Sequence, residues 1–182
     1  MRFVTIASLL LSTLLSSGCL VGSLHPFYDA DSLEFDEALL GEWENRDDGM
    51  LIQVDRGEWK SYKVKYPASG GPVVLTGFLT RIGDSRVLDL TTWRPADPAS
   101  LLVPIHLAVR LQLLGDSLTV APMDYDRLLA EVERGRLPRL HPVLDGRKNV
   151  LLTADAAALR AWLGAARVAD VFGESTRFTR RQ

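Results

Sequence analysis

This 182-residue chain has only one cysteine, three histidines and four lysines. A lone cysteine, Cys19, excludes a disulfide scaffold within the chain. The 21 basic residues are mostly arginine, yet 23 acidic ones oppose them, and no basic run exceeds two residues. That excludes the footprint of a nucleic-acid binder, and no nucleic-acid partner is expected. With 47% hydrophobic residues and a net charge of −2, disorder of the whole chain is excluded as well. His25, His106 and His141 are scattered without ligand spacing, so no metal site is expected, because a metal needs three or four converging donors. Neither a nucleotide fingerprint nor a phosphate loop is present, and no cofactor is expected. No Pro- or Gly-rich linker divides the chain, so one domain behind an N-terminal segment is the natural reading.

That segment carries an address. Met1-Arg2 supplies one positive charge, an apolar stretch follows to Leu15, and Ser16-Ser17-Gly18-Cys19 forms a cluster of small residues. The pattern is that of a secretory signal peptide. Ser16-Ser17-Gly18-Cys19 resembles the bacterial lipobox, although Ser16 stands where leucine is usual. The resemblance implies cleavage between Gly18 and Cys19, with acyl chains on Cys19 holding the protein to a membrane. Leu20 follows the cysteine where aspartate does not. By resemblance to the sorting rule of Gram-negative envelopes, that implies the outer membrane, facing the periplasm. Two other readings compete. Phe3 to Leu24 is uncharged and long enough to span a bilayer, for which about 20 residues suffice, but Ser16-Ser17-Gly18 interrupts it. The cysteine could also be an incidental thiol of a secreted protein.

The expected division is therefore a signal peptide over 1–18, an acylated cysteine and tether over 19–37, and a single β-rich domain over 38–182. Asp29, Asp31, Glu34 and Asp36 suggest a solvated acidic tether. A calcium loop is excluded there, since Glu34 takes the glycine position and Leu33 a ligand position.

From Leu39 the chain alternates with period two. Met50, Ile52 and Val54 share a face, as do Tyr62, Val64 and Tyr66. Val73 to Ile82 is apolar on both faces, and Val87 to Trp93 places Leu88, Leu90 and Thr92 together. Ile105, Leu107, Val109, Leu111 and Leu113 oppose His106, Ala108, Arg110 and Gln112. Turns fall at Asp48-Gly49, Arg56-Gly57, Gly70-Gly71, Gly83-Asp84 and Gly115-Asp116. A helix is expected from Asp124 to about Arg134, and another from Thr153, its expected N-cap, to about Arg167. Asn149 to Leu152 and Glu174 to Arg181 complete the strands. The fold class is mainly β with two short helices (α+β): an antiparallel meander forming a small lipocalin-like barrel or a strongly curved sheet.

Three motifs bear on function. Gly115-Asp116-Ser117-Leu118 matches the signature of the GDSL esterases, and that resemblance implies Ser117 as nucleophile. The partner blocks of that family are absent, however, and Gly83-Asp84-Ser85 repeats the tripeptide, so a hairpin turn is the better reading. Gly41-Glu42-Trp43 resembles the Gly-x-Trp motif of lipocalins, which implies Trp43, beside Gly41, as a plug at one end of a barrel. Leu24-His25-Pro26-Phe27-Tyr28 with Leu39-Leu40-Gly41-Glu42-Trp43, and Val150-Leu151-Leu152-Thr153-Ala154 with Leu159 and Trp162, resemble a family of uncharacterised bacterial lipoproteins. That resemblance implies a shared fold and brings no activity. The expectation is a non-enzymatic binding module on the membrane, for an apolar small molecule or an envelope protein partner. A GDSL-type esterase using Ser117 and a structural envelope protein without a small-molecule ligand are the alternatives.

Overall fold

The computed structural model describes residues 20–68, 70–92, 103–146 and 149–181. Gly18, Cys19 and the end of the strand expected to reach Trp93 lie outside them. Twelve strands are present among the described residues: β1 (Val21–Ser23), β2 (Leu33–Glu34), β3 (Gly41–Glu44), β4 (Leu51–Arg56), β5 (Ser61–Ala68), β6 (Gly71–Ile82), β7 (Ser85–Thr92), β8 (His106–Leu114), β9 (Ser117–Pro122), β10 (Pro142–Leu144), β11 (Val150–Leu152) and β12 (Thr176–Arg180). Helices α1 (Tyr125–Glu133), α2 (Ala156–Ala165) and the single turn α3 (Val168–Val171) lie between β9 and β12.

Eight strands close into an antiparallel barrel. β3 to β9 pair as an up-and-down meander, and β12 returns to sit between β9 and β3. Closure removes the free edges that an open sheet would leave exposed. Of the two architectures expected, the barrel is the one formed. The turn chemistry explains two of its hairpins. Gly83 and Gly115 each hold φ +56° in two-residue loops joining Ile82 to Ser85 and Leu114 to Ser117, a conformation that glycine tolerates and other residues resist.

The alternation reads out as two cores on opposite sides of one sheet. Trp43, Val54, Tyr62, Val64, Leu75, Leu79, Leu88, Leu111, Leu118 and Phe178 fill the barrel interior. The outer face of β6 to β9 offers Ile82, Val87, Ala108 and Ala121, which are covered by Val21, Phe27, Val150 and Leu152 with Leu128, Leu159 and Leu163 of the helices. Strands β11 and β10 extend the sheet beyond β1, which pairs with the start of β8 through Ser23 and His106.

Two local expectations need correction. The stretch taken as a solvated tether is instead wrapped onto the barrel: Phe27 and Leu33 are buried, β1 runs parallel to β11, and β2 pairs with β6. Its lack of periodicity reflects single anchors placed on several elements rather than freedom. The second helix is capped by Asp155, whose side chain accepts from Ala158 N–H, and not by Thr153, whose hydroxyl donates to the His141 carbonyl. Trp59 lies in the β4–β5 turn, with φ +52° and 66% of its surface exposed.

Candidate functional site

The N-terminal segment seals the end of the barrel where Trp43 lies. Residues 33–40 cross it, and just inside lies Trp43, fully buried, donating its indole N–H to the Leu39 carbonyl at 2.9 Å. Trp43 pairs across the sheet with Arg180, whose guanidinium lies 4.3 Å over the indole ring. The same guanidinium donates to the carbonyls of Leu40 and Ala38 at 2.7 and 2.6 Å. Gly41 is required beside it, because its φ is +127° and a β-carbon there would sit 2.8 Å from the Arg180 Nη1. Next along the rim, Arg86 donates to Asp36 at 2.7 Å. Burial alone pushes the Asp36 carboxyl up, but the bonds from Arg86 and Ala38 N–H outweigh it and hold the group below its ordinary value. Asp36 N–H donates to the Tyr62 hydroxyl, which burial pushes up, and the Tyr62 ring stacks on Phe35 at 4.8 Å.

The interior is nearly filled. Among the described residues a cavity of about 80 Å³ remains in it, lined by Tyr62 and aliphatic side chains including Ile52, Val54, Leu88, Leu90 and Val120. Small-molecule sites run to roughly 300–1,000 Å³, and eight-stranded barrels are just wide enough for side chains to fill. As it stands, the barrel is a packed core.

A larger hollow lies on the helical layer. It measures about 670 Å³ and runs between α2 and residues 136–140, floored by Leu137, Leu140, Ala158 and Trp162, with Arg136 and Arg139 at its rim. A second hollow of about 360 Å³ shares Arg136, Leu137, Trp162 and Ala166 with it and continues toward α1 and α3. Arg136 is held by Glu131 at 2.8 Å, whereas Arg139 is exposed and has no ion-pair partner among the described residues. Trp162 and Leu137 are half-buried, each presenting part of an apolar side chain to this groove while packing on the core beneath.

A buried polar pair holds the N-terminal segment down. Asp89 is fully buried; its Oδ1 lies 2.7 Å from His106 Nδ1, and its Oδ2 accepts from Phe27 N–H at 2.7 Å. Arg160 of α2 donates to the Phe27 carbonyl and meets Asp29 at 3.1 Å. Burial, then the Asp89 charge, pushes the neighbouring Tyr28 phenol up. Sequence reasoning passed over Asp89; the available signal was a carboxylate in the apolar run Val87-Leu88-Asp89-Leu90, on a strand whose two faces are both buried.

Ser117 is a hairpin residue. It opens β9, opposite Leu114 and Thr179. His106 lies at the other end of β8, about 27 Å away at about 3.4 Å per residue. His25 follows β1, which pairs with that same far end, and His141 lies beside the β11–α2 junction. Among the described residues no set of three His, Cys, Asp or Glu side chains converges on a point where a metal could sit. No helix among them is long and apolar enough to cross a membrane. Compared with known protein families, curated proteins and solved structures, the chain finds no match.

Proposed function

We propose that this is an envelope lipoprotein, anchored through acyl chains on Cys19, that acts as a non-enzymatic binding module for a small amphiphile with an apolar body and an anionic end. The address rests on the small-residue cluster ending in the solitary cysteine. The observation that carries the binding reading is the groove beside α2. Its volume falls in the range of small-molecule sites, its floor is apolar and aromatic, and Arg139 stands at its rim with no ion-pair partner among the described residues. Arginine suits such a position because its planar fork matches a carboxylate or phosphate bidentately. The packed barrel is the rigid frame on which the groove is built.

Two experiments test the two halves. Cells fed an alkyne fatty acid should label the wild type and not Cys19→Ala; equal labelling overturns the anchor. Full-length protein extracted from its membrane should bind dansyl-undecanoic acid, with Trp162→Ala and Arg139→Glu each weakening binding about tenfold. Binding unaffected by both substitutions overturns the groove as the site.

A further inference from the structure

The residue that follows Cys19 is already part of the fold. Leu20 N–H donates to Asn149 Oδ1 at 3.0 Å, and its carbonyl accepts from Val150 N–H at 2.9 Å. One peptide unit, about 3.8 Å from Cα to Cα, therefore separates the acylated cysteine from a hydrogen-bonded sheet. A protein anchored this way has no slack with which to hang away from its membrane.

The surface that meets the membrane can be read from the register. Gly22, Leu151 and Val143 are successive partners across β1, β11 and β10, so their side chains share one face. Leu20 joins that face by alternation. Val21, Val150 and Leu144 point the other way, Val21 and Val150 into the core. The shared face is apolar and uncovered: Val143 is 51% exposed and Leu20 44% exposed. It continues onto β8, because a β-carbon on Gly22 would touch Ile105 and Leu107. Leu107 in turn pairs with Leu90 on the inner face at the end of the barrel opposite Arg180. An apolar sheet face thus begins one residue from the anchor and runs to the end of the barrel opposite Arg180.

We infer that this face, centred on Val143 and Leu20, seats the domain directly on the lipid bilayer, so that the Arg180 end of the barrel points away from the membrane. The inference rests on the acylation of Cys19 proposed above. The occupant is a lipid surface because the acyl chains fix the face within one residue of the headgroup layer. Apolar side chains at that depth gain from leaving water, as on any interfacial surface.

The test uses the full-length lipidated protein in phosphatidylethanolamine–phosphatidylglycerol vesicles. Acylation is first verified by the mass of the N-terminal peptide; its absence would overturn the anchor, and with it the seating that rests on it, before any label is read. Val143→Cys and Leu114→Cys are each labelled with an NBD fluorophore. Leu114 is the control because it is apolar and 69% exposed, yet lies at the sealed end, opposite Ser117. Seating predicts that the label at 143 shifts to the blue and is quenched several-fold more strongly by a headgroup nitroxide lipid than the label at 114. In a verified acylated sample, equal quenching, or equal access of iodide to both labels, overturns it.

Discussion

Arg180 and Trp43 face each other across the β12–β3 ladder, with the guanidinium 4.3 Å above a fully buried indole. The contact joins the last strand to the first strand of the barrel. Its polar edge also ties the crossing segment to the sheet through the carbonyls of Ala38 and Leu40. One side chain thereby serves the closure of the barrel and the seal at its end.

Removing Trp43 should therefore be expensive. Trp43→Ala is expected to destabilise the protein by about 3–5 kcal/mol, from lost transfer energy and the cavity left behind. That is a large share of a typical 5–15 kcal/mol, so the melting temperature should fall by many degrees. Trp59→Ala, at an exposed turn, should cost far less. Thermal melts of both variants check this, and a Trp43→Ala melt within a degree or two of wild type would contradict it.

Asp89 should matter through what it leaves behind. Asp89→Ala strands the Phe27 N–H and the His106 ring nitrogen, and a buried donor without a partner costs about 1–3 kcal/mol. The loss is expected to loosen residues 24–36 from the barrel. Limited proteolysis should then cut that stretch faster than in wild type, with the barrel fragment surviving.

Stability should carry an acid limb through Asp36. Its folded value lies below the ordinary 3.8, so the carboxylate stabilises the fold fully above that value. The contribution is lost as pH falls through the folded value. Asp36→Asn should thus be less stable than wild type at pH 7 by an amount that stays constant down to about pH 5 and shrinks toward pH 3. Urea melts across that range measure it; a gap that widens on acidification would reverse the sign argued here.

Ser117 is expected to be chemically silent. A fluorophosphonate probe should leave the protein unlabelled, and Ser117→Ala should change stability by no more than about 0.5 kcal/mol, as surface substitutions usually do. Labelling that disappears in Ser117→Ala would restore the esterase.

Period-two alternation, Gly-Asp turns and two helical stripes were legible along the chain because each depends on residues a few positions apart. They determined a β-rich meander with two helices, and the small-residue cluster before Cys19 determined the expected address. Closure was a tertiary decision. Thr179 donates to the Glu44 carbonyl across 135 residues, and no local pattern encodes a pairing that distant. The N-terminal stretch was misread for a related reason. Its acids looked solvated, yet Asp29 and Asp36 are matched by Arg160 and Arg86 on elements far along the chain, and Phe27 is held by Asp89. Charge and burial in that stretch are satisfied by partners that only the folded barrel brings within reach.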